Sequence, residues 1–248
     1  MSGHSKWATI KRAKGAKDAA RGRLFSRIIK EITIAARNGG GDPAGNPRLR
    51  LAIEKAKSAN MPADNIKRAI QRGTGELEGQ AFEEVMYEGY GPGGVAFLVE
   101  VITDNRNRTV SELRHIFSRN HGNLAETGAV AWKFERRGVI TVPADRSEED
   151  MMMIALDAGA EDLQTEDDSY EIYTAPTDFE TVRAALLEKG LNITEASIQM
   201  VPKTTMKVVG KEAEAVLRLV EALEEHDDIQ NVYADFDIDT EVMESLNR

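Results

Sequence analysis

The chain has 248 residues, 41% of them hydrophobic, with 32 Lys+Arg against 42 Asp+Glu and no cysteine. Such a length holds two or three ordinary domains with real cores, and the lack of cysteine excludes a disulfide scaffold, thiolate metal sites and thiol catalysis. The net charge of −10 hides a split: residues 1–72 carry 17 Lys+Arg and 5 Asp+Glu, residues 73–248 carry 15 and 37, so one end suits a polyanion and the remainder does not.

In chain order, residues 1–20 read as a basic arm. They hold Lys6, Lys11, Arg12, Lys14 and Lys17, with Trp7 and Ile10 as almost the only large apolar residues, too few to offset the entropy of ordering the backbone. A helix follows over about 18–37, where Leu24, Phe25, Ile28, Ile29, Ile32 and Ala36 recur at helical spacing. The run 38–43, rich in Gly and ending in Pro, stops it. A second helix is expected over 47–59, with Pro47 in its first turn, and a third over 62–72, ended by Gly73. Residues 74–80 read as a linker, where the charge changes sign.

Residues 94–103 read as a strand, 109–120 as a helix with Thr109 and Glu112 as its capping box, and 129–134 as a strand; segment 85–90 has no assigned place. Residues 138–203 then spell β-α-β-β-α-β: strands at 139–142, 162–165, 170–174 and 196–201, helices at 147–158 and 177–189, the second opened by Thr177 and Glu180. That order is complete in itself and ferredoxin-like. A helix at 211–225 and a strand at 229–235 complete the pattern begun before it. The expected fold class is α+β: an N-terminal three-helix domain (1–79) followed by two ferredoxin-like α/β domains, one (137–203) inserted in the other (80–136 and 204–240).

Three stretches carry candidate chemistry. In the arm and just beyond it, Lys6, Lys11, Arg12, Lys14, Lys17, Arg21 and Arg23 suit phosphate neutralisation with counterion release, and Trp7 beside Lys6 suits stacking on an unpaired base. The helix pair 47–59 and 62–72, joined by Asn60 and Met61, is loosely helix-turn-helix, and Lys67, Arg68 and Arg72 on its second member suit phosphates and base edges. Arg106 and Arg108, two of the 15 basic residues beyond residue 72, fall in a polar stretch, 104–109, before a helix start, where a phosphate can be held. Run 89–94 matches G-x-G-x-x-G, but a strand-like run follows it, so it reads as a hairpin turn. No nucleophile elbow, phosphate-binding P-loop or metal spacing among the four histidines is present. No catalytic residue, metal or cofactor is therefore expected. No apolar run approaches the ~20 residues that cross a bilayer, and the charged N-terminus lacks a secretory apolar stretch, so a cytoplasmic protein without membrane or small-molecule partners is expected.

Several longer runs carry a resemblance. Gly3-His4-Ser5-Lys6-Trp7, Arg21-Gly22-Arg23-Leu24-Phe25, Gly39-Gly40-Gly41-Asp42-Pro43, Asn46-Pro47-Arg48-Leu49-Arg50, Tyr87-Glu88-Gly89-Tyr90-Gly91-Pro92-Gly93-Gly94 and Asp104-Asn105-Arg106-Asn107-Arg108-Thr109 occur in order along the whole chain, and together they resemble the YebC family, whose relatives include a mitochondrial translational activator of cytochrome c oxidase. The resemblance implies three domains, a helical first one and two α/β ones, with no cofactor and no enzyme activity. It implies a regulator of gene expression, by the usual family label a probable DNA-binding transcriptional regulator. The alternative within the family is a ribosome-associated translation factor that binds rRNA or tRNA and relieves stalls on proline-rich stretches. The matching positions in the arm and in stretch 104–109 are the contacts it implies.

Overall fold

Three amphipathic helices open the described chain because their apolar residues fall on one stripe each. In the computed structural model, residues 18–166, 168–239 and 242 are described, so the arm and its Lys6, Trp7, Lys11, Arg12, Lys14 and Lys17 lie outside the described residues. Helix α1 (Asp18–Gly39) buries Ile28, Ile32 and Ala36 against Leu49 and Ala52 of α2 (Pro47–Ser58) and Ile66 and Ala69 of α3 (Ala63–Thr74). Asn46 ties the first two together. Its side-chain oxygen accepts from Leu49 N–H at 3.1 Å, capping α2, while its Nδ2 donates to Ala35 and Gly40 carbonyls at 2.8 and 2.9 Å. Gly73 does not end α3 as its composition suggests. It lies inside the helix, where a Cβ would sit 2.4 Å from the Thr33 carbonyl oxygen, so it is the close-approach point of α1 and α3; the left-handed terminator is Gly75.

The first sheet has strand order β3-β1-β2-β9, all antiparallel, from β1 (Glu83–Tyr90), β2 (Ala96–Thr103), β3 (Asn123–Leu124) and β9 (Ile229–Ala234). Segment 85–90, unplaced by sequence, is thus an inner strand. The expected strand at 129–134 is absent: a loop and one 3-10 turn (Ala131–Lys133) occupy it, and the edge is the two-residue β3. β1 and β2 are joined by the hairpin expected at 89–94, with Tyr90 opposite Ala96 and left-handed Gly93 and Gly94 at the bend. Helix α4 (Arg106–Arg119) and the later α7 (Gly210–Glu224) cover one face through Leu113, Phe117, Val216 and Val220, packed on Phe97, Val99 and Val101. The other face carries Ala96, Leu98 and Tyr233, packed on Phe134 and Val130. Both faces of β2 are covered, which is why Ala96–Thr103 is nearly continuous apolar sequence with no alternation.

The second sheet, order β5-β6-β4-β7, is antiparallel and comes from β4 (Phe134–Pro143), β5 (Asp162–Thr165), β6 (Ser169–Thr174) and β7 (Glu195–Pro202). Helices α5 (Glu148–Asp157) and α6 (Phe179–Glu188) pack Met151, Ala155, Phe179 and Val182 against Ile140 and Ile172. With its two helices this is the ferredoxin-like order read from the sequence. Ser147 caps α5, accepting from Asp150 N–H; the N-cap of α6 is Asp178, not Thr177, and it makes no side-chain cap bond. A short parallel pair, β8 (Met206–Lys207) with β10 (Phe236–Asp237), leads the chain back toward the first sheet. Seven α-helices are present among the described residues, and no helix among them is long and apolar enough to cross a membrane.

Candidate nucleic-acid interface

The basic residues of the helical layer fall into two groups. One group faces the acidic α/β part and is consumed there. Lys30 Nζ meets Asp228 Oδ1 at 2.6 Å. Arg48 spans Glu31, with Nε 2.7 Å from Oε1, and Glu84, with its nearer terminal nitrogen 2.6 Å from Oε1. Arg50 reaches Glu180 at 3.2 Å, and Glu54 accepts from Arg183 at 2.6 Å. Arg27 donates to the carbonyls of Glu224 and His226. The Arg48 bonds are the main reason the Glu84 carboxyl lies below the ordinary glutamate range.

The other group stands in solvent. Lys67, Arg68 and Arg72 are exposed on α3, opposite the buried Ile66 and Ala69, because positions 67, 68 and 72 share one side of the helix. Lys55 and Lys57 are exposed near the end of α2. None of these five makes an ion pair with another described residue. Arg21 is exposed at the start of α1, its guanidinium 5.4 Å from the Phe25 ring centroid, and Arg23 is half-buried nearby.

Stretch 104–109 is not the loop the sequence suggests. Asn105 caps α4, its side chain accepting from Arg108 N–H at 3.0 Å, so Arg106 and Arg108 sit in the first turn. Arg108 is engaged: one terminal nitrogen lies 2.7 Å from Asp228 Oδ2 and 2.9 Å from Asp104 Oδ1. Arg106 stands exposed, without an ion pair to any described residue. Thr109, expected as the cap, is buried, and its hydroxyl donates to Asp228 Oδ2 at 2.7 Å. Arg108, one of the two cations read as phosphate contacts at this helix start, is therefore already paired with the protein's own carboxylates.

Asp228 is the residue the sequence did not single out. Nearly inaccessible at 4% exposure, it joins α1 through Lys30, β2 through Thr103 (3.2 Å) and α4 through Arg108 and Thr109. Burial opposes its ionisation, but the bonds from Lys30, Arg108 and Thr109 outweigh that and hold the carboxyl well below the usual aspartate range. The second of two adjacent aspartates in an acidic helix-to-strand turn carries no local signal of this role.

Glu112, His226 and Asp228 bring ligand-type atoms within 4.8 Å of one another. They do not fit a metal. His226 Nδ1 accepts the Asp228 N–H at 3.1 Å, which leaves the proton on Nε2, and Nε2 is 2.8 Å from Glu112. Asp228 is already met by two cations. No nitrogen lone pair and no uncompensated carboxylate remains for an ion.

The comparisons with known proteins decide the family. The family model described as "TACO1/YebC protein N-terminal domain" matches residues 5–76, and "TACO1/YebC second and third domain" matches residues 82–236. The chain belongs to the TACO1/YebC family. It is 59% identical to a "Probable transcriptional regulatory protein" of Solibacter usitatus, over 100% of each chain, and 58% identical to one of Pelotomaculum thermopropionicum, over 96% of this chain and 100% of the relative. The crystal structure of a conserved hypothetical protein from Aquifex aeolicus is similar with a TM-score of 0.82 at 51% identity, covering 90% of this chain and 92% of that one. Family membership agrees with the resemblance read from the sequence runs above, and the α+β class with a helical beginning stands.

Proposed function

We propose that this protein is a non-enzymatic, nucleic-acid-binding regulator of gene expression. The observation that carries the reading is the exposed set Lys67, Arg68 and Arg72 on α3, none of which makes an ion pair with a described residue, in a chain whose first 20 residues are rich in Lys and whose Lys30, Arg48 and Arg50 are paired internally. Cations held near one another with no internal partner are what phosphate binding needs. In this reading Lys6, Lys11, Arg12, Lys14, Lys17, Arg21, Arg23, Lys67, Arg68, Arg72 and Arg106 contact phosphates and Trp7 stacks, while Arg108 serves the Asp228 junction. The name of the relatives, "Probable transcriptional regulatory protein", supports transcription as the output; in this reading DNA is the target and the cytoplasm the place of action.

A second reading has its own support. Residues 73–248 carry 37 acidic against 15 basic residues, and such a body repels a long duplex, whereas a ribosome offers protein as well as RNA surfaces. Sedimentation of a lysate through sucrose tests the two. Recovery on promoter fragments without ribosome co-migration is the outcome expected for transcription, and co-migration with ribosomes at moderate salt is the outcome for translation. Binding to neither, with no dependence of any affinity on salt, overturns both.

A further inference from the structure

Among the described residues, Trp132 is the most exposed of the large hydrophobic side chains, at 66%. An indole left in water forgoes a large burial gain, so its support is informative. The loop that bears it, residues 125–133, is held from beneath by a buried charge. Glu88, an inner-strand residue 4% exposed, accepts from the N–H groups of Gly128, Val130 and Ala131 at 2.6, 2.7 and 2.8 Å. Burial opposes its ionisation, yet the three donors outweigh this and keep the carboxyl below the usual glutamate range.

The rest of the loop is equally determined. Tyr90 Oη and Trp132 Nε1 both donate to the Ala129 carbonyl at 3.1 Å. Lys203 Nζ donates to the Trp132 carbonyl at 2.9 Å, and Lys203 N–H to the Lys133 carbonyl at 2.8 Å. The indole N–H is thus spent and the ring plane pinned, so what Trp132 offers is a π-face, not a hydrogen bond. Its surroundings are basic within an acidic part of the chain. Lys133, Arg136, Arg137 and Lys203 are four of the 15 Lys+Arg of residues 73–248. Lys133 is neutralised by Asp235 and Arg137 by Glu135. Arg136 and Lys203 are exposed and make no ion pair with a described residue.

We infer that Trp132 is a stacking platform for an unpaired nucleobase, with Lys203 and Arg136 placed for the flanking phosphates. A pinned aromatic face with Lys203 bonded to its own carbonyl and the exposed Arg136 four residues along the chain is the chemistry of single-strand binding, since every base has a π-face and every linkage a negative charge. The inference rests on the nucleic-acid reading above and deepens it: the α3 cations grip backbone of any form, and the Trp132 loop selects unpaired nucleotides.

The test uses the full chain with a short single-stranded oligouridine and a blunt duplex of equal length. Trp132→Ala is expected to weaken single-strand binding by about 5- to 150-fold, the range for one stacked base, to leave duplex binding unchanged, and to be rescued in large part by Trp132→Phe. In a Trp7→Phe background, the single strand and not the duplex is expected to quench the remaining indole emission. Because the side chain is mostly in solvent, the substitution leaves the fold in place. Equal single-strand affinity of Trp132→Ala and wild type, while a Lys67→Glu/Arg68→Glu/Arg72→Glu variant loses affinity for both ligands, overturns this inference and leaves the proposed function standing. Equal weakening toward strand and duplex, or an effect on self-association alone, overturns it too. Failure of the wild type to bind either oligonucleotide overturns the function itself.

Discussion

The inner and outer sides of the helical layer draw on the same residue types and use them oppositely. Lys30, Arg48 and Arg50 face the α/β part and each is matched to a carboxylate, on Asp228, on Glu31 with Glu84, and on Glu180. Lys55, Lys57, Lys67, Arg68 and Arg72 face water with no described carboxylate against them. A charge count along the chain adds the two groups together. Only the outer one is available to a polyanion, because an ion pair already made must be broken before its cation can neutralise a phosphate.

The largest expected effect lies on the inner side. Asp228→Ala strands Lys30, Arg108, Thr103 and Thr109 together, and breaking a buried pair of this kind costs about 3–5 kcal/mol; a denaturant titration that finds the variant as stable as wild type would remove Asp228 from the centre of the junction. On the outer side, Lys67→Ala/Arg68→Ala/Arg72→Ala is expected to reduce the slope of log affinity against log salt by about three, while stability moves by no more than about 0.5 kcal/mol per substitution. An unchanged slope would mean that α3 does not touch phosphate.

The third prediction concerns pH. The folded Asp228 carboxyl lies below its unfolded value, so its stabilisation is fully present above about pH 4 and is lost as pH falls through the folded value. Unfolding free energy of the wild type should therefore fall as pH drops below about 4, and Asp228→Asn, measured over the same range, should lack that component. The smallest effect belongs to the half-exposed pairs. Arg50→Ala and Arg183→Ala should each cost about 0–1 kcal/mol in thermal or chemical unfolding and leave the salt slope of binding untouched. A change of slope in Arg50→Ala would move that residue from the inner group to the outer.

Much of this was legible in the chain. Periodicity of 3.6 marked α1, α2 and α3 to within a few residues, since each buries a single stripe. The β-α-β-β-α-β order marked the second sheet, whose strands and two helices follow one another in that sequence. The misreadings share a cause, namely residues whose partner is distant in sequence. Val130 and Phe134 read as one strand because both are apolar, but Val130 packs on Leu98 and Tyr233 from a loop and Phe134 from the first position of β4. Thr109 looked like a cap because of Glu112, yet its hydroxyl is claimed by Asp228, 119 residues away. Gly73 looked like a helix end until α1 approached it. Of the candidate contacts, Arg106 and Arg108 looked equivalent, and only the position of Asp228 separates them.

The sequence by itself determined the cationic beginning, the acidic remainder, the helices and most strands, and the family, because these follow from local composition, short-period patterning and ordered runs of residues. Tertiary structure decided which cations remain available, that a buried Glu88 supports the Trp132 loop, and that Asp228 takes up Arg108. Those outcomes depend on which carboxylate lies within about 3 Å of which donor, a matter of how α1, α4 and β9 meet in space rather than of how their residues follow one another.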